Sequence, residues 1–142
     1  MRTLIIRTVK TTLGFTLLGP LFGGLPYLIL MYLPAQGSDG IDTVLSVGFF
    51  AYLFGAVPAL VTGVVAGVLA PRLSRGLWYL AAAVIGLVTA AGFGAWMSGS
   101  PMHGSTLEVS LLIMGIPGLI GGFLSAWSLV RLGVVRRAHD AY

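Results

Sequence analysis

The side chains able to do acid–base, nucleophilic or metal chemistry in this 142-residue chain are few. His103, in "SPMHGS", stands near Ser98, Ser100 and Ser105, a grouping that could supply a nucleophile and a base. None of these serines lies in the G-x-S-x-G turn that exposes a hydrolase nucleophile, so the grouping has no specific hydrolytic context. A metal site needs three or four ligands, and His103 would have only Glu108, Asp39 and Asp42 to call on. Those acids have structural explanations of their own. Glu108 follows Ser105 by three positions in "STLE", the spacing of a capping box at a helix start. Asp42, followed by Thr43, has the character of a helix N-cap, and Asp140 can pair with Arg136 one turn earlier. The chain has no cysteine, which removes thiolate chemistry and disulfides. It also lacks a phosphate-binding G-x-x-x-x-G-K-[ST] loop. The expectation is therefore no catalytic residue, no cofactor and no metal, and a protein that is not an enzyme.

The remaining polar groups are hydroxyls embedded in apolar sequence, with Thr62 and Thr89 near the middle of their segments. Such hydroxyls bond back to the carbonyl four residues earlier or across to a neighbouring helix, and the two could line a narrow polar path. No Asp, Glu, Lys, Arg or His lies in the interior of any apolar block. Proton-coupled transporters and ion pumps place such residues within the bilayer because their chemistry needs them, so this absence argues against proton coupling.

The segments that carry these groups are membrane spans. The chain is 57% apolar and 8% charged, with a mean hydropathy of +0.99. Soluble domains carry about 25% charged residues, and eight basic with four acidic side chains cannot coat a water-facing surface of this size. Four blocks reach the roughly 20 residues that an α-helix needs to cross a bilayer, at about 11–33, 44–70, 77–97 and 107–130. None alternates apolar with polar as a barrel strand would. Together they predict an all-α integral membrane protein, a four-transmembrane-helix bundle in a single domain over 1–142. Arg2, Arg7 and Lys10 precede the first block, Arg72 and Arg75 separate the second from the third, and Arg131, Arg136 and Arg137 follow the fourth. The other two connections carry Asp39, Asp42 and Glu108 and no Lys or Arg. Basic residues are retained on the cytoplasmic side, which predicts cytoplasmic N- and C-termini. The positive net charge is accordingly a topology signal, with no nucleic-acid partner implied. The segment "MRTLIIRTVK" is expected along the inner leaflet, where it would attract anionic lipid. Trp78, Tyr79 and Trp127 fall where an interfacial belt would sit on the basic side, and Tyr32, Phe49, Phe50, Tyr52 and Trp96 toward the other.

Small residues recur every four positions in these blocks: Gly55, Ala59, Gly63 and Gly67 in the second, Ala82, Gly86, Ala90 and Gly94 in the third, Gly118, Gly122 and Ala126 in the fourth, with Gly19 and Gly23 in the first. Residues four apart share a helix face. Between lipid-embedded helices, burying leucine gains little, and close backbone approach along such a strip supplies the packing instead. These thirteen positions are therefore expected to be helix-packing sites. "PALVTGVVAG" from Pro58 aligns without gaps to "PGLIGGFLSA" from Pro117, as two similar parallel helical hairpins would. Pro20, Pro26, Pro58 and Pro117 lie within spans, where proline removes a donor and kinks a helix.

Packing surfaces without reactive groups suit a non-catalytic protein of a bacterial inner membrane. It would bind a membrane-protein partner through its small-residue helix faces as an accessory subunit, assembly factor or immunity protein. The alternative is a homo-oligomeric channel or uncoupled small-solute facilitator using the path past Thr62 and Thr89.

Overall fold

Inside lipid every backbone amide and carbonyl must be paired within the protein, which makes helices the default for these four blocks. The structure, a computed structural model, describes residues 2–32, 40–97 and 108–135. Four helices account for most of them: α1 (Arg2–Tyr32), α2 (Gly40–Leu69), α3 (Arg75–Met97) and α4 (Glu108–Arg131). All four are long and apolar enough to cross a membrane, and the protein is an all-α, multi-pass membrane bundle. The described residues contain no strand.

Two helix ends differ from expectation. α1 starts at Arg2, so the basic N-terminal segment continues the first span rather than forming a separate surface helix. Nothing in "RTLIIRTVKT" breaks a helix: it holds neither glycine nor proline, and the hydrogen-bond ladder runs straight through it. α2 starts at Gly40, which places Asp42 in its first turn instead of at the N-cap. A carboxylate there still meets the positive end of the helix dipole. Ser105, the proposed capping partner of Glu108, lies outside the described residues, as do Asp39, Ser98, Ser100, His103, Arg136 and Asp140.

The helices run up, down, up and down in a ring. α1 packs against α2 and α4, and α3 packs against the same two, so α1 and α3 stand on one diagonal, bridged by side chains rather than by close backbone approach. Alternating direction gathers Arg7, Lys10, Arg72, Arg75 and Arg131 at one end and leaves Asp42 and Glu108 at the other. At the basic end α4 closes on Gly133, whose φ of 68° suits a residue without a Cβ. The Gly133 amide donates to the Val130 carbonyl at 3.1 Å and that of Val134 to Leu129 at 3.0 Å, a Schellman closure. It brings Val135 into the core beside Leu129.

Large and small side chains are distributed in reverse of a soluble protein. Leucines 13, 17, 53, 80 and 112 are exposed, as are Phe49 and Val88, while the interior is built of Ala66, Ala70, Ala82, Ala126 and glycine around two large rings, Phe15 and Trp78. Trp78 corrects the belt assignment. It is fully buried, its ring meets Phe15 edge-on with centroids 6.4 Å apart, and its indole N–H donates to the Ala66 carbonyl at 2.9 Å. A buried indole needs such an acceptor, and α2 supplies one. Trp127 does lie at the surface, with the Arg131 guanidinium 5.2 Å from its ring centroid, a cation–π arrangement.

Candidate functional site

The small-residue strips determine how closely the helices meet, and so where space is left between them. On α2, a Cβ added at Gly63 would stand 2.7 Å from the Thr12 Cα, and one at Gly67 2.9 Å from the Thr8 Cα. Gly55 faces Pro20, and Ala59 meets Gly19. All four strip positions of α2 thus face α1. On α3 and α4, Gly86 and Gly118 each lie against the other's carbonyl, Gly122 lies against the Ala82 carbonyl, Ala90 against Gly118 and Gly94 against the Met114 side chain. Ala126 is fully buried in the core cluster that also holds Ala82. Gly23 faces the Pro117 carbonyl, which ties α1 to α4. By contrast, a Cβ at Gly48, Gly76 or Gly92 would meet nothing within 4 Å.

Positions 59 apart in sequence occupy matching places in the two hairpins. Gly63 and Gly122 each face the other helix of their own hairpin, through Thr12 and Ala82. Thr62 and Gly121 instead face across to the other hairpin, Thr62 to Thr89 on α3 and Gly121 to the Gly19 carbonyl on α1. Pro58 and Pro117 follow suit: the Pro58 carbonyl lies 3.4 Å from the Thr89 hydroxyl, and the Pro117 carbonyl faces Gly23.

Toward the acidic end the ring opens around a cavity of about 660 Å³, lined by residues from all four helices. This lies in the range of small-molecule sites. Pro20 of α1, Pro58 of α2 and Pro117 of α4 all line it, so three helices bring their prolines to one space. α1 continues as one helix past Pro20 and Pro26, and α2 past Pro58. At Pro117 the ladder itself changes. Leu111–Gly115 form a π-helical turn in which the Ile116 amide donates to the Leu111 carbonyl five residues back. One extra residue is thereby inserted just before the proline that cannot donate, and π turns of this kind concentrate at functional positions.

Thr62 forms part of the cavity wall at its deep end. Its hydroxyl donates to the Pro58 carbonyl at 2.8 Å and shares a 2.9 Å hydrogen bond with the Thr89 hydroxyl, which itself reaches the Ile85 carbonyl at 2.8 Å. Two hydroxyl protons face three short contacts, so one hydroxyl at a time donates to the other while its own backbone carbonyl goes without. Thr89 lies behind Thr62 and outside the lining. Phe15 lines the cavity beside Thr62, and past them Ala66, Trp78, Ala82 and Ala126 fill the bundle with buried side chains. Thr62, backed by Thr89, therefore forms a floor together with Phe15, and the cavity extends from it to Tyr27, Ser46 and Asp42 near the acidic end.

The cavity, the role of Asp42 in its wall and the depth of Trp78 all escaped sequence reasoning. The one available signal was that Pro20, Pro58 and Pro117 fall at corresponding depths of their spans. The described residues hold no group of three His, Cys, Asp or Glu able to bind a metal ion. Comparison with known protein families, with curated proteins and with solved structures finds no match.

Proposed function

We propose that this multi-pass membrane protein is an uncoupled facilitator for a small solute, which enters the bundle through the cavity at the Asp42 end. The observation that carries this reading is the cavity itself: about 660 Å³, walled by residues of all four helices, with prolines from three of them at its side. Helices interrupted by proline at corresponding positions of two repeats often frame the binding site of a transporter. The basic end, with Arg7, Lys10, Arg72, Arg75 and Arg131, faces the cytoplasm of a bacterial cell by the retention of positive charge. The cavity then opens away from the cytoplasm, and passage requires the Thr62–Thr89 pair and the Phe15–Trp78 plug to separate.

Partner binding is less favoured by this geometry. The small-residue strips meant to receive a partner face helices of the same chain, so a partner would have to meet the bulky outer faces such as Leu13, Leu17 and Leu53.

The test is uptake into proteoliposomes of three poorly permeant solutes: erythritol (neutral), benzyltrimethylammonium (cation) and benzenesulfonate (anion). At least one should enter faster than into protein-free vesicles, saturably, and Val47→Trp on the cavity wall should abolish the difference while the protein still elutes as a folded particle. Uptake of all three at the lipid background rate would overturn the proposal, and a stoichiometric foreign membrane protein retained through gentle solubilisation would then favour partner binding.

A further inference from the structure

Resting on the facilitator reading, we infer that the cavity selects a monovalent organic cation with an apolar body, held by Asp42 and by the aromatic rings along α2 and α1. Three features of the wall converge on this class. Among the described residues Asp42 is its one charged residue, and no described Lys, Arg or His lines it. The aromatic side chains Tyr27, Phe50 and Phe54 line the same space, with the Phe50 and Phe54 rings stacked at 6.0 Å and 6°. Ring faces carry negative quadrupole density and attract ammonium groups, most strongly where water is displaced. Finally, Pro58 has no N–H, so the carbonyl of Phe54, four residues before it, lacks its usual helical donor. The wall thus offers a cation two acceptors, the Asp42 carboxylate and a backbone carbonyl, beside the hydroxyls of Tyr27 and Ser46. An anion would be repelled by the Asp42 charge, and a neutral solute would gain nothing from it.

The order of events follows from the layout. A cation is drawn to the acidic end by Asp42, slides its apolar body past Phe50 and Phe54, and rests against the Thr62–Thr89 floor. Nothing is bonded or oxidised, so binding is reversible and independent of any co-substrate.

The experiment measures equilibrium binding of benzyltrimethylammonium and benzenesulfonate to the purified full-length protein in zwitterionic detergent, for the wild type, Asp42→Asn and Asp42→Glu. The cation should bind and the sulfonate should not. Asp42→Asn should weaken the cation roughly fivefold, the size expected for one solvent-accessible ion pair, and Asp42→Glu should restore it. Raising salt should weaken wild-type binding and leave Asp42→Asn unaffected. Equal binding of sulfonate and ammonium, or cation binding indifferent to Asp42→Asn, would overturn the cation assignment while leaving a solute cavity in place. Saturable uptake of erythritol alone would do the same. If no solute enters in the vesicle assay, the facilitator reading falls as well, and the two failures are thereby told apart.

Discussion

A hydroxyl surrounded by hydrocarbon has few partners to choose from, and Thr62 and Thr89 have chosen each other. Each also bonds back to the carbonyl four residues earlier, so neither is left unpaired when the two separate. That redundancy makes the hydroxyl–hydroxyl bond a small share of the contact between α2 and α3: interhelical hydrogen bonds of this kind average about 0.6 kcal/mol in membrane proteins. Thr62→Val keeps the side-chain shape and removes the hydroxyl–hydroxyl bond. We expect it to lower the free energy of unfolding in mixed micelles by about 0.6 kcal/mol, and a loss several times larger would mean that the pair is a structural clamp rather than a movable floor. The pairing of the two threonines was within reach of the sequence, because both fall near the middle of their spans. Burial of Trp78 was not. A tryptophan three residues after Arg75 has the same local sequence whether it lies in the interface or the core, and only the approach of the Ala66 carbonyl from another helix decides the matter.

At the scale of the helices, close approach is set by missing side chains. Gly122 packs against the Ala82 carbonyl, a backbone group that cannot rotate aside, whereas Gly92 has open space around it. Gly122→Leu should therefore drive α3 from α4 and abolish the monodisperse peak in size-exclusion chromatography, while Gly92→Leu should elute as the wild type. Equal tolerance of both would show that the strips do not carry the packing. Much of this level was legible beforehand, since a four-residue interval of Gly and Ala is a local pattern that already specifies one face of a helix. What that pattern could not specify was which neighbour each strip would meet. The π turn at Leu111–Gly115 was also invisible, because Pro117 announces a lost donor and leaves open how the ladder absorbs it. Asp42 was read as a cap, two residues away from where the helix begins, and in that role its place in a cavity wall could not be foreseen.

Among the described residues the molecule is a ring of four helices, filled by buried side chains over its basic half and holding a cavity toward its acidic half. Glycine and alanine bring α1 to α2 and α3 to α4, and the prolines of three helices gather on the cavity wall. The cavity is a property of long-range arrangement, formed by residues as distant in sequence as Pro20 and Pro117, which is why no single stretch of sequence revealed it. Because the chain has no cysteine, a single one can be placed anywhere and read without background. The most direct measurement is modification of Val47→Cys, Ala51→Cys, Leu53→Cys and Ala66→Cys by a membrane-impermeant cationic thiol reagent applied from the Asp42 side of intact vesicles. Val47 and Ala51 line the cavity, Leu53 is exposed on the outer, lipid-facing surface, and Ala66 is buried in the core cluster past the floor. The account predicts rapid modification at 47 and 51 and none at 53 or 66. Unreactive cysteines at 47 and 51, or a cysteine at 66 that reacts as fast as they do, would contradict a solute cavity closed at Thr62 and Thr89.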